Sequence, residues 1–484
     1  MEGVSIETTH GRADQVPTGI PALDESIGGG FPRGSLILLK GAPGTGKTLL
    51  ASRFLYEGVS RYGEEGIYVS FSESKETFNE DMKPLGYDFP RLEREGKHSF
   101  LNYTALRGEA TPTILTQIIQ EIQRIKAKRL VIDSFRAIAA ATPDRTTVRT
   151  ILHGIFSKIT RALNCTTLLI TERSAEPEAK PGPEEYIADA TIALRRTEYD
   201  DRPLRTLEIL KMRGRRITTA KLLFTTENGP EVYTPLKEPT PPPKPRKWTA
   251  IPDSAERFST GNPDLDSLLG GGYPRGSYVL IEIGENVPDT IRNLLTEPLM
   301  LNFLSQSRGV TVIPRPNSSA RALVKSLEPY TSRETILTYL KVHEKAHQVT
   351  HGEVTLPYEG VNIDKDYLSY VEAWRELKKK TCDRPILRIV AEDTSECTYG
   401  LQAILGVIPQ SVARTAIHRD LSLAIATPHL QCTRHLAQLA NIHIKVREHR
   451  GYMLVYGEKP HTDLHIAEID TSRGAPELKL HPIR

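Results

Sequence analysis

The sequence predicts an α/β fold written twice in tandem, each copy a mostly parallel sheet flanked by helices, and three observations predict it. First, one phrase recurs: TGIPALDESIGGGFPRGSLILLKG begins at Thr18 and TGNPDLDSLLGGGYPRGSYVLIEIG begins at Thr260, an offset of 242 residues. A repeat of that length marks duplicated domains rather than a solenoid of short units. Second, PLKEPTPPPKPRKWTAIP (235–252) is dense in proline and basic residues, so it reads as an extended spacer near the middle of the chain. Third, short apolar runs alternate with helical stretches, the pattern of strands buried under helices on both faces. The expected organisation is a first domain over 1–234, the spacer over 235–252 and a second domain over 253–484. A chain of 484 residues is too long for one ordinary core.

Taken in order, SLILLK (35–40) is an apolar run before glycines, GIYVSFS (66–72) a second, RLVID (129–133) a third and TTLLIT (166–171) a fourth. Between them Ile114, Ile118, Ile119, Ile122 and Ile125 recur at three-and-four spacing, the single apolar stripe of a packed helix.

The segment GAPGTGKT completes the pattern Gly-x-x-x-x-Gly-Lys-Thr directly after the first strand. Gly41, Ala42, Pro43, Gly44, Thr45, Gly46, Lys47 and Thr48, with Leu49 opening the helix, are the expected nucleotide-binding residues. Glycines let backbone N–H groups turn inward around phosphates, Lys47 reaches the β- and γ-oxygens, and the Thr48 hydroxyl is a Mg²⁺ ligand. Asp133 ends RLVID, where a nucleoside triphosphatase places the acid of its Mg²⁺ shell, although an aspartate there can also cap a helix, as can Ser134. Glu73, just past GIYVSFS, is the carboxylate best placed to polarise an attacking water; its alternative is a solvated glutamate in the run SESKE.

VPTGIPALDESIGGGFPRGS, the phosphate loop, YVSFSES, VIDS, TTLLITER and PGPEEYIADATIALRR followed by LRTLEILKMRG together resemble the KaiC-like branch of the RecA/RadA-type ATPases. The resemblance covers essentially the whole first copy. It implies a RecA-like core there, which the repeat extends to two tandem RecA-like P-loop domains, the second lacking the loop, and a homo-oligomeric ring, usually a hexamer, with ATP between neighbouring subunits. It also implies that Lys211 and Arg213, in the Lys-x-Arg-Gly segment, reach the γ-phosphate of the adjacent subunit, which would tie hydrolysis to assembly. The residue reading alone also allows a solvated basic strand end there. The family pattern carries two adjacent glutamates after the second strand; here the first is Ser72, which puts turnover in question more than binding.

In the second copy the repeat places Pro288 at Gly46 and Asp289 at Lys47. A proline removes a backbone donor and an aspartate repels phosphate. Glu73 falls near Pro316, and Lys-Met-Arg-Gly falls on Gly457, Glu458, Lys459 and Pro460, while ILRIVAED keeps an acid at Asp393 that is expected to cap or pair locally. The second copy thus reads as a retained fold without a nucleotide site, and no autokinase cycle is expected. His429, Cys432 and His435 are spaced three apart, but with no fourth ligand they read as a packed thiol between surface histidines. DYLSYVEAWRELKKK (366–380) reads as an amphipathic helix with a wet basic end, and Trp374 as a core or interface anchor.

Composition narrows the function. A net charge of +3 provides no general nucleic-acid footprint. Four scattered cysteines give neither a disulfide framework nor a zinc ribbon. No apolar run reaches membrane-spanning length and no secretory signal opens the chain, so the expected location is cytoplasmic with no membrane partner. The favoured expectation is a slow, ring-forming ATPase switch read by a regulatory protein partner. One alternative is a RadA-like repair ATPase that binds DNA through 141–149 and 173–185, weakened by the acids in those loops. The other is a nucleotide-gated scaffold with negligible turnover.

Overall fold

The computed structural model describes residues 15–103, 111–134, 154, 156, 158–172, 183–237, 245–472 and 475–484. The chain divides into two compact units, Met1–Thr234 with Ile483–Arg484, and Pro235–Pro482.

The sheet of the first unit runs, edge to edge, Glu231–Tyr233, Lys221–Thr225, Arg202–Met212, Ala190–Tyr199, Leu36–Gly41, Thr166–Thr171, Arg129–Asp133, Gly66–Ser70 and His98–Asn102. From Ala190–Tyr199 to His98–Asn102 all neighbours are parallel, and the remaining strands are antiparallel. The central strand Leu36–Gly41 is apolar on both faces because helices cover both. Leu50, Phe54 and Leu55 of helix Lys47–Tyr62 share one core with Ile37 and Leu39. On the other face Leu36 and Leu38 pack with Ile114, Ile118 and Ile122 of helix Thr111–Ile125. The isoleucine stripe is therefore the buried face of that helix, as its spacing predicts. Strand His98–Asn102 carries His98, Ser99 and an exposed Asn102, so no apolar run announced it.

The second unit repeats this order with one more parallel strand at its edge: Thr355–Tyr358, Leu340–Lys345, Val310–Ile313, Leu387–Ala391, Leu421–Ala426, Tyr278–Ile283, Ile442–His449, Tyr452–Lys459, His465–Asp470 and Glu477–Pro482. Part of the proline-rich segment belongs to this unit. Leu236 and Trp248 pack on its core, and the Trp248 and Ile251 amides donate to Tyr330 O and Asn302 Oδ1.

The repeated phrase has the same physical task in both units. Asp24 Oδ1 accepts from the Thr18 amide at 2.8 Å, and Asp266 Oδ1 from the Thr260 amide at 2.7 Å. Gly30 and Gly272 sit at φ +136° and +94°, where a Cβ would stand 2.4 Å from Val16 O and 2.2 Å from Phe258 O. Only glycine lets the chain pass there, beside the two-residue ladders Gln15–Val16 with Phe31–Pro32 and Arg257–Phe258 with Tyr273–Pro274. The first amide of each central strand is fixed alike, Leu36 N to Asp189 Oδ2 at 3.0 Å and Tyr278 N to Asn441 Oδ1 at 2.9 Å.

Strand register relates the units more closely than sequence alignment does. Leu36 pairs with Thr167 and Tyr278 with Ser422; Leu130 pairs with Thr167 and Arg388 with Ser422. The place of Asp133 is thus taken by Ala391. Asp393 lies beyond it, in helix Glu392–Tyr399, where it accepts from Thr427 Oγ1 at 3.2 Å, a local pairing as expected. Gly66 and Val310 hold equal places against Arg129 and Leu387, which moves the counterpart of Glu73 from Pro316 to Asn317. Thr191 pairs with Lys211 and His443 with Lys459, each just before a bulge. Lys211 therefore corresponds to Lys459 and not to Gly457: both hairpins carry the same bulge, but the second is shorter, 16 residues from His443 to Lys459 against 20 from Thr191 to Lys211, which a sequence offset cannot see.

Candidate nucleotide site

Helix Lys47–Tyr62 starts at Gly46, which is left-handed at φ +95° and offers no side-chain cap, so its first N–H groups stay open to an anion. A Cβ on Gly46 would lie 2.9 Å from Thr226 Cγ2, and one on Gly41 would lie 2.6 Å from Thr45 Oγ1. Ala42, Pro43 and Gly44 are exposed at the tip, Thr45 and Lys47 are buried, and Thr48 and Leu49 are half-buried. Thr45 Oγ1 and Lys47 Nζ both donate to Ala42 O, at 2.8 and 2.9 Å, which closes the loop around its own carbonyl.

Thr48 Oγ1 donates to Asp133 Oδ2 at 2.9 Å, and the Tyr68 hydroxyl donates to the same oxygen at 3.0 Å. A hydroxyl and a carboxylate meeting at the loop form the hard-oxygen donor pair that suits magnesium. Burial raises the Asp133 carboxyl above its usual range, opposed by Thr48, Tyr68 and Lys47. Burial also lowers the Lys47 ammonium, opposed by Glu172 and Asp133. Among the described residues no group of three or more His, Cys, Asp or Glu could hold a metal unaided. His429 is exposed and lies 3.4 Å from Glu285, while Cys432 is buried at the start of helix Thr433–Leu439.

Glu73 follows strand Gly66–Ser70, held in a turn where Ser70 Oγ accepts from its amide at 3.1 Å and donates to its carbonyl at 3.0 Å. Its Oε1 is buried with no partner among the described residues. Burial first, then Asp133 and Asp81, push its pKa up to about 7. Glu73 is therefore no freely solvated member of an acidic run.

Lys211 and Arg213 are not brought to the loop within the chain. Lys211 Nζ donates to Glu185 O at 3.1 Å and Ala188 O at 2.6 Å, carbonyls at the end of helix Pro183–Ile187. Lys459 Nζ makes the equivalent contacts in the second unit, to Ala437 O at 2.6 Å and Ala440 O at 3.5 Å behind helix Thr433–Leu439. A lysine that ties down a helix end in both units has a structural task that needs no phosphate loop. Arg213 is 55% exposed, with a loose ion pair to Asp189 at 3.7 Å and a bond to Tyr186 O at 3.2 Å.

Two residues escaped the sequence reading. Arg205, on strand Arg202–Met212, donates to Gly44 O at 3.1 Å, and its Nε is buried without a partner among the described residues. Glu172, one residue past strand Thr166–Thr171, is close enough to act on both Lys47 and Asp133. The only signal for Arg205 was its place opposite Arg196 in a hairpin, visible once the register is known. In the second unit Asp289, at the start of helix Asp289–Ser305, is taken up by Arg315 at 2.8 Å and Arg292 at 3.8 Å. Of the expected DNA-facing loops, 141–149 and 173–182 lie outside the described residues. No described helix is long and apolar enough to cross a membrane.

Residues 16–237 match the KaiC family of ATPases, and residues 247–353 match GvpD basic region 2. Protein GvpD2 of Halobacterium salinarum is 27% identical over 486 residues, covering 92% of this chain and 93% of that protein. Circadian clock protein KaiC3 of Synechocystis is 31% identical over 279 residues, covering 55% of this chain and 53% of that protein, so the match spans about half its length. The crystal structure of a KaiC-like protein from Pyrococcus horikoshii is 36% identical, with 46% of this chain and 99% of that one covered and a TM-score of 0.42. With their complete phosphate loop and the acid beside it, residues 16–237 belong to the KaiC family of RecA-type P-loop ATPases.

Proposed function

We propose that the chain is a regulatory ATPase that binds Mg-ATP in its first unit alone, assembles into a ring and turns over slowly. The observation that carries this reading is the Thr48–Asp133 hydrogen bond beside an uncapped helix start, set against Ala391 and the paired Asp289 at the matching places of the second unit. Backbone N–H groups from Gly44 to Thr48 would receive the phosphates and Lys47 would leave Ala42 O for them. Thr48 and Asp133 would hold a magnesium ion, whose chemistry there is to neutralise phosphate charge. The orphaned Glu73 Oε1 supports a role in orienting a water toward the γ-phosphate. Exposed Arg213 is the cation free to reach a neighbouring subunit, with Lys211 fixing the helix behind it.

The scaffold with negligible turnover is the second reading, favoured by the Lys211 contacts, which leave one cation where the family pattern supplies two. Arg213→Ala tests the first against it. In a sample whose mass confirms ATP-dependent assembly, the variant should lower turnover by up to about 10³-fold without loss of ATP binding. Unchanged turnover would reject the trans role, and stimulation of the wild type by single-stranded DNA would favour the repair alternative.

A further inference from the structure

The second unit contains a semi-enclosed cavity, with about 80 Å³ open to the centre of a water molecule, between its sheet and helices Ile363–Lys380, Glu392–Tyr399 and Leu401–Ile417. Tyr358, Tyr367, Tyr370 and Tyr399 wall it, with Tyr367 and Tyr370 stacked at 5.9 Å and 25°. Three residues that line it each carry a buried polar atom with no partner among the described residues: Nε2 of His343, Nε of Arg388 and the Tyr367 hydroxyl. Folded proteins pair nearly all such atoms, so three orphans on one cavity point to a missing occupant.

Their chemistry describes that occupant. The Arg388 guanidinium lies 4.8 Å from the Tyr370 ring centroid and donates one arm to Ser411 Oγ at 2.6 Å, which fixes its plane and leaves the Nε–H free. Arg388 and Tyr367 thus offer two donors beside a permanent positive charge. Competing acids are weakened: Asp366 is occupied by the Tyr399 hydroxyl at 2.8 Å and by the amides of Glu359 and Gly360. Glu392 is buried, which pushes its pKa up to about 7 against the pull of Arg388. His343, only 7% exposed, stays neutral, since burial and Arg388 push its pKa down to about 4.

We propose that this cavity binds a small aromatic organic acid, its carboxylate received by Arg388 Nε and the Tyr367 hydroxyl and its ring lying against the tyrosine walls. The site uses no residue of the phosphate loop and stands whether or not the first unit hydrolyses ATP.

The full-length protein should be titrated with 2-naphthoate and, as the uncharged analogue, 2-naphthamide. Saturable binding of the acid, at least about tenfold tighter than the amide, is expected, with loss of about tenfold or more in Arg388→Met. Tyr367→Phe removes only an unpartnered hydroxyl, so it should keep the thermal stability of the wild type and still bind the acid several-fold more weakly. Lys47→Ala should bind it as the wild type does. Absence of saturable naphthoate binding, equal affinity for acid and amide, or a folded Tyr367→Phe that binds undiminished would overturn the proposal.

Discussion

At the scale of single residues the account turns on Glu73. Its raised pKa means that its contribution to stability is fully present below about 4.5, the ordinary value, and is lost as pH rises toward about 7. Glu73→Gln, which cannot ionise, should therefore raise the melting temperature of the nucleotide-free protein in chelator more at pH 8 than at pH 5. The same variant should lower turnover by about 10²-fold while ATP still binds. An equal effect on melting at both pH values would show that Glu73 is solvated after all. The nucleotide residues were legible because phosphate chemistry restricts their types and spacing within eight consecutive positions. Arg205 and Glu172 were not, because their relevance arises only when distant strands bring them to the loop. Lys378 shows the same limit: the basic end of its helix reads as wet, yet its ammonium is buried against Asp420 at 2.8 Å, with Trp374 Nε1 on the other carboxylate oxygen at 2.9 Å. The reading of Trp374 as an anchor holds.

At the scale of elements, the repeated glycine phrase and the helix-tying lysines are devices of the fold rather than of catalysis. Gly30→Ala and Gly272→Ala should each destabilise their unit by roughly 1–3 kcal/mol or more, since each adds a Cβ onto a carbonyl at positive φ. Urea unfolding checks this, and a neutral Gly272→Ala would mean that the second copy no longer needs the turn. Lys211→Met and Lys459→Met should each cost about 1–2 kcal/mol through lost carbonyl contacts. The second should leave ATP affinity untouched. If Lys211→Met stopped turnover with no loss of stability, a direct catalytic role for this lysine would be restored. Strands with apolar runs were readable in sequence. Strand His98–Asn102 was hidden by its polar composition, and the place of Lys459 by the shorter hairpin of the second unit, which shifts the later correspondence.

At the scale of the molecule, two units share one sheet order and differ at the end of the central strand. One carries a glycine-rich loop with Lys47 against Ala42 O, the other Pro288 and an Asp289 already neutralised by arginines. Duplication was legible from the repeated phrase because the turn and its anchoring aspartate constrain many positions at once. The tyrosine-walled cavity was not, since its lining comes from strands and helices that have no common spacing in the chain. The division of labour is tested most directly by the stoichiometry of ATP bound per chain, measured by equilibrium dialysis with magnesium on the wild type, Lys47→Ala and Asp289→Ala. The account predicts one ATP per chain, affinity weakened by roughly 10- to 100-fold in Lys47→Ala and unchanged in Asp289→Ala. Two ATP per chain, or one retained at full affinity in Lys47→Ala, would contradict it.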